Sequence, residues 1–358
     1  MPRITQLSAR PAQSLASDGA PTHRSCQAWR VARRVCLTRT FPVLALMTCQ
    51  VPLPGCALDR RLIGHGLNGP RGLALGPDGA LYVAETGTAA AGSRISRIDA
   101  HGVRHTVVEG LPYATHAGTE ETGAAAVAFR RGELYILQGY GSAAHARALL
   151  RLGPTGLESV ADFAAFEEAN DPDGAPGGSN PFALLYDAAA DVFYVTDAGA
   201  NDLLRVHPDG TIEVMAVWRD NQVPTGLARG PDGALYVALF SPFPHPAGQG
   251  HIDRVQPNGA LQVAAADLTM PIGVAFDSSG VMYVLEFAGA LELRPRLGFR
   301  PNSGRLLRLD GPRRQVLLDR LQYPTAVLAG SGDTLLLSIF GAFSPPGSGA
   351  ILRIAPCR

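Results

Sequence analysis

The nonapeptide GPDGALYVA occurs twice in this chain, at residues 76–84 and again at residues 230–238. It is the best-preserved part of a longer unit that recurs six times. Each copy has an apolar strand opened by a Pro/Gly turn, a tight turn, and a second apolar strand. The second strands read ALYVAE, ELYILQ, VFYVTD, ALYVAL, VMYVLE and TLLLSI. After a gap of variable length comes a third strand ending in Arg and an aliphatic residue, as in Arg97-Ile98, Arg151-Leu152 and Arg254-Val255. A turn glycine and a fourth strand follow in the first five copies. Repeats of this length with four short strands each predict an all-β fold, a six-bladed β-propeller with four antiparallel strands per blade. A single blade cannot bury both of its faces, so the same solution must recur around a ring. The Asp-Gly of the nonapeptide supplies the tight hairpin between the first two strands.

The ends of the chain predict how the ring closes. The sixth unit stops after its third strand, at AILRIAPCR, whereas an orphan strand, ALDRRLIGHGL (residues 57–67), precedes the first unit. The N-terminal strand is therefore expected to complete the last blade and cover two sheet edges that would otherwise be open. Composition agrees with this reading. The chain has 41 Gly and 28 Pro in 358 residues, which suits short strands and tight turns. With only 7% aromatic residues, the core must consist mainly of Val, Leu, Ile and Ala.

Residues 1–56 differ from the propeller, residues 57–358. They carry seven arginines and one acid, leaving 24 arginines against 30 acids in the remainder. A mildly acidic body lacks the cationic face that a nucleic-acid partner would require. Every basic residue is Arg, which excludes a lysine Schiff base. The arginine-rich stretch before an uncharged segment (residues 40–58) has the character of an export signal. Export would place the protein in the periplasm, outside the cell, or on the envelope. LPGC at residues 53–56 resembles a lipobox, so Cys56 could carry lipid, the one membrane attachment expected. Ring closure instead places Cys56 beside Cys357 and predicts a disulfide, which excludes lipidation of the same sulfur. By loop entropy such a bridge contributes on the order of 5 kcal/mol at most.

Long connections fall on one rim only, where strand two leads to strand three and where one blade leads to the next. Long loops gathered on one side of a rigid scaffold usually carry binding. Two sets of residues converge there. Glu85, Gln138, Asp197, Leu239, Glu286 and Ile339 end the second strands. Glu85, Asp197 and Glu286, with Asn180, make an oxygen-rich set suited to calcium or another divalent cation; alternatively, each carboxylate secures its own loop. Arg71, Phe182, Thr225 and Thr325 begin first strands and, with rim aromatics such as Phe240 and Phe340, suggest a pocket for a partly apolar ligand bearing one anionic group. An Arg71–Glu85 ion pair is the plainer alternative. NDPDG at residues 170–174 is rich in oxygen donors, but it lacks the spacing of an EF-hand and could equally be an Asx-turn cluster.

No G-x-S-x-G elbow, H-E-x-x-H motif or C-x-x-C pair occurs in the body. The segments NDPDGAPGGSNPFALL, YVTDAGANDLLRV and VPTGLARGPDGALYVALFSPFPHPAG, in that order, resemble the ScyD/ScyE family, exported propeller proteins named after members encoded beside the scytonemin pathway. The middle segment also resembles NHL-type repeats, and lactonase-like propellers are more distant cousins. The resemblance implies a propeller, export and an accessory role in secondary metabolism, and it carries no catalytic residues over. The leading expectation is a monomeric, exported propeller that binds a small molecule or protein on its long-loop rim. The alternative is a metal-dependent hydrolase or lactonase using Glu85, Asp197 and Glu286, with Asn180 or Asn201 as neutral ligands.

Overall fold

In each second strand, alternate side chains are buried against opposite neighbours. Leu81 and Val83 face one adjacent sheet, and Tyr82 and Ala84 face the other. A strand covered on both faces has no polar side to present, which is why these segments are almost continuously apolar. The computed structural model describes residues 58–116, 120–175, 178–293, 297–311 and 313–355. It contains six four-stranded antiparallel sheets, the expected six-bladed β-propeller. We number the blades I (residues 70–111), II (124–162), III (181–217), IV (224–268) and V (271–321). Blade VI combines residues 326–355 with residues 59–67.

The closure follows the expected scheme. Strand Asp59–Leu67 lies antiparallel to Gly349–Ala355, from Asp59 opposite Ala355 to Leu67 opposite Gly349. Thr325 Oγ1 donates to the Pro70 carbonyl at 2.6 Å, and Ser338 Oγ donates to the Arg71 carbonyl at 2.7 Å, tying blade VI to blade I. Cys56, Cys357, the leader and the lipobox-like stretch lie outside the described residues. Among those described, no helix is long and apolar enough to cross a membrane.

Six seams between blades form the core. One seam joins Ala126, Leu137 and Leu149 of blade II to Phe193, Val195 and Leu204 of blade III. Another joins Leu67 and Ile351 of blade VI to Val83 and Ile98 of blade I. Fully burying one such aliphatic side chain contributes about 1.5–3 kcal/mol. Near the axis the first strands approach closely. A Cβ on Gly226 would lie 2.5 Å from Gly273 Cα of the next blade, so position 226 has no room for a side chain.

The verbatim repeat has a local cause. Asp78 Oδ1 accepts from Ala80 N at 3.2 Å, closing the hairpin, while Asp78 Oδ2 accepts from Arg97 Nε at 2.6 Å. Arg97 stands opposite Tyr82 in the ladder. Asp232 repeats the arrangement, with Ala234 N at 3.2 Å and Arg254 Nε at 2.6 Å. Gly79 and Gly233, with φ of 75° and 79°, take the left-handed turn position. The leading glycine makes room for the tyrosine, because a Cβ on Gly76 would collide with the Tyr82 ring. Gly76, Asp78, Gly79 and Tyr82 therefore answer to neighbours within their own blade, while Leu81, Val83 and Ala84 pack against the adjacent ones.

Elements beyond the sheets gather on the opposite rim. Helix α1 (Phe163–Asn170) lies between blades II and III, and the hairpin Ala114–His116/Glu120–Thr122 lies between blades I and II. A second small hairpin, Leu291–Glu292/Gly298–Phe299, interrupts blade V. Among the described residues, only a 3-10 turn, Ser331–Asp333, sits on the tight-turn side.

Candidate functional site

One backbone hydrogen bond recurs in all six blades on the long-loop rim. The residue following Glu85 or its counterpart donates to the link that enters the same blade, although in blade I the strand itself runs on to Thr88. Examples are Thr86 N to Gly69 O at 3.0 Å, Ala198 N to Asn180 O at 3.0 Å and Phe340 N to Gln322 O at 2.8 Å. The carboxylates just before these donors reinforce the same links. Glu85 accepts from Asn68 N at 2.6 Å, from Arg94 Nε at 2.9 Å and from Arg94 Nη2 at 2.8 Å, and Ser96 Oγ also donates to it. Glu286 accepts from Thr269 N and Arg305 Nε, both at 2.7 Å. Asp197 accepts from Ser179 Oγ at 2.5 Å and from the backbone of Asn180, Gly199 and Ala200.

These three carboxylates stand in blades I, III and V, with their oxygens turned to their own loops. Among the described residues, the group of three carboxylates close enough to share an ion is a different one, Glu167, Asp171 and Asp173. Asn180 Oδ1, the fourth expected ligand, accepts from Tyr140 N at 3.0 Å. The reason for the separation is geometric. Equivalent strand ends in a ring radiate from the axis, and each finds unsatisfied backbone N–H groups nearer than its counterparts. The Arg71–Glu85 pair does not form either. Arg94 occupies Glu85, while Arg71 Nη2 donates to the Glu121 carbonyl at 2.9 Å and approaches Glu120 at 3.5 Å.

A cavity of about 560 Å³ opens at this rim. Beneath it runs an axial channel of about 360 Å³ lined by the first strands. Arg71, Glu120, Asn180, Phe182 and Ile272 border both spaces and form a collar between them. Of the residues expected to bind ligand, Arg71, Phe182, Thr225 and Phe240 line the mouth. Thr325 lines the channel below. The two threonine hydroxyls are committed elsewhere: Thr225 Oγ1 donates to Ala238 O and Pro271 O at 3.0 Å, and Thr325 Oγ1 to Pro70 O. Phe340 does not border the mouth; its side chain packs into the seam between blades V and VI, and Phe343, three residues on, lines the opening instead.

The mouth is divided by chemistry. Blades IV, V and VI contribute an aromatic wall in which Phe287 and Phe299 meet edge to face at 5.1 Å and Phe299 and Phe343 lie 5.7 Å apart. His245 stacks toward Phe299 at 6.0 Å and meets Phe240 edge to face at 4.9 Å. Phe243 and Phe343 are 61% and 39% exposed, so part of this wall faces solvent. Blades I to III and their connections contribute polar groups: Arg71, Glu120, Tyr140, Asn180 and Asn201. Among the described residues, Arg71 supplies the only guanidinium in the lining, and its buried Nε has no acceptor.

His245 Nδ1 lies 2.7 Å from the Ser241 carbonyl. A carbonyl only accepts, so Nδ1 carries the proton and Nε2 is an acceptor in the neutral ring. Burial holds the imidazole below its ordinary pKa, partly countered by that same hydrogen bond. The sequence points to Phe240, Phe243, Phe340 and Phe343 as rim aromatics, and all but Phe340 line the mouth. Phe299 and His245 are harder to see, because one arrives on the excursion hairpin of blade V and the other on a turn with φ of 56°.

No protein-family model and no curated protein sequence matches the chain. Solved structures do resemble it. A protein of Thermus thermophilus described as a glucose dehydrogenase-type oxidoreductase is 20% identical at a TM-score of 0.59, over 84% of this chain and 100% of that one. The PQQ-bound aldose sugar dehydrogenase of Streptomyces coelicolor is 16% identical at 0.57, over 84% of this chain and 99% of that one. A gluconolactonase of Xanthomonas campestris is 14% identical at 0.53, over 84% of this chain and 90% of that one. Propeller enzymes of several chemistries thus share the architecture, and what the likeness establishes for this chain is the six-bladed propeller fold.

Proposed function

We propose that this protein is an exported propeller that binds a planar, largely aromatic small molecule with one anionic end at its long-loop mouth. The divided lining carries this reading. An aromatic body stacks on Phe287, Phe299 and Phe343, and its anionic group accepts from Arg71 on the opposite side. The collar of Arg71, Phe182 and Ile272 limits how far such a ligand descends toward the channel. The arginine-rich leader supports export, and the ScyD/ScyE resemblance supports an accessory role in handling a secondary metabolite. Orientation without turnover suffices for that role, since the rim carboxylates Glu85, Asp197 and Glu286 are engaged in holding loops.

Anilinonaphthalene sulfonate, an aromatic anion, is the probe for this reading. It should bind saturably at one site, and Phe343→Ala and Arg71→Gln should each weaken it about tenfold, equivalent to about 1.4 kcal/mol. Non-saturable binding, or affinity unchanged in both variants, would refute the assignment. The rival lactonase reading predicts hydrolysis of a lactone substrate that stops in chelator; the binding reading predicts no such turnover.

A further inference from the structure

The junction between helix α1 and blade III concentrates negative charge, and among the described residues no arginine forms an ion pair with it. Glu167 sits in the last turn of the helix, Asp171 caps it with φ of 40°, and Asp173 follows in the loop. The helix has no basic residue in its last turn, although a helix C-terminus favours a cation. One oxygen from each of Glu167, Asp171 and Asp173 lies within 4.8 Å of the other two. Calcium binds oxygen at about 2.3–2.6 Å, so one ion can span oxygens up to about 5 Å apart.

A second observation stands apart from the cluster. Asp202, the first residue of its strand, has no exposed surface, and both of its carboxylate oxygens are buried without a donor among the described residues. Glu167 is 8% exposed, and its Oε2 likewise lacks a donor. The charges acting on Asp202 are those of Asp197, Glu167 and Asp173, all negative. A buried charge without a partner is costly, and buried charges are normally paired or bound to metal. Asp197 differs from the others because its oxygens already accept four hydrogen bonds.

We propose that Glu167, Asp171 and Asp173 form a calcium site, beside the buried Asp202 carboxylate, that fixes the polar wall of the mouth. The donors are all oxygen, which disfavours zinc, and they come from a helix end and an irregular loop, which suits calcium better than the strict octahedron of magnesium. A divalent cation would supply the positive charge that the buried, unpartnered carboxylates of Glu167 and Asp202 lack. The link to the mouth is Asn201. Its Nδ2 donates to Asp173 Oδ2 at 2.8 Å, and its Oδ1 accepts from Val223 N at 3.1 Å. Asn201 and Val223 both line the cavity, as do Ala175 and Gly178 of the same loop.

The full-length chain, stripped with chelator, is titrated with calcium chloride by calorimetry. In parallel, terbium luminescence is excited through Trp218, whose backbone N–H donates to Asn201 O at 2.8 Å. One calcium per chain is expected, with a melting temperature that rises as calcium is added. Asp173→Asn and Asp202→Asn should each weaken calcium by about 10–100-fold. In chelator, Asp202→Asn should melt no lower than the wild type, because burial already disfavours a charged carboxylate at this position. Terbium emission should fall with Trp218→Phe. Absence of binding at millimolar calcium, or binding unchanged in both aspartate variants, overturns the site. These readouts do not involve the aromatic probe, so they stand or fall separately from ligand binding.

Discussion

The two rims of this ring are made by opposite rules. On the tight-turn rim, blades I and IV repeat the same Asp, Tyr and Arg contacts almost to the distance, with Asp78–Arg97 and Asp232–Arg254 both at 2.6 Å. On the long-loop rim, the same two blades part at the strand-two residue opposite the entering proline, where blade I has Glu85 and blade IV has Leu239. The backbone bond beside that residue persists in both, from Thr86 to Gly69 and from Phe240 to Val223. Every blade thus keeps a main-chain tether and varies the side chain next to it. Repetition belongs to the rim that holds blades together, and divergence to the rim that lines the mouth.

The sharpest test of that division is Glu85. If it serves its loop, Glu85→Ala strands Arg94 and the Asn68 N–H and should cost about 3–5 kcal/mol by urea unfolding, whether or not calcium is present. A loss that appears only when calcium is available would return Glu85 to a metal-binding role. On the other rim, Gly230→Ala drives a Cβ into the Tyr236 ring and should cost about 1–3 kcal/mol while leaving probe affinity intact. Equal stability of this variant and wild type would mean that the tyrosine can swing aside and that the repeat has some other cause. Thr325→Val, at the closing seam, removes one interblade hydrogen bond and should cost about 0.5–1.5 kcal/mol. Were it to weaken the aromatic probe instead, Thr325 would regain the ligand role that its position suggests.

The smallest effect expected is at His245. Its pKa is depressed in the fold, so the stability of the neutral ring is present above the unfolded value of 6.5 and is lost as pH falls through the lower folded value. His245→Gln should therefore lose less stability than the wild type between neutral pH and about pH 5. Parallel pH profiles for the two proteins would show that the ring protonates without penalty inside the aromatic wall.

Legibility follows the same division. Blade number, the second and third strands and the closing strand were all readable, because each depends on residues close in sequence or on a repeat that displays itself six times. Glu85 and Glu286 could be placed at strand ends, but not the arginines that claim them, which depend on register across a hairpin. The aromatic wall draws Phe240, Phe287, Phe299 and Phe343 from three blades, and nothing local announces that their loops meet. Asp202 looks like an ordinary polar residue after a turn. Its burial close to the charges of Glu167 and Asp173, which lie far off in sequence, is a tertiary effect that its own neighbours do not announce.

The pairing of Asp59–Leu67 with Gly349–Ala355 also bears on how the molecule is born. The edge segment is made before the rest of the propeller and must wait unpaired until its last strand has followed. Closing so wide a circle costs only modest extra entropy, since that cost grows with the logarithm of length, but it makes assembly slow. A chain passed across a membrane before folding would make this final seal on the far side, where every sector is present at once.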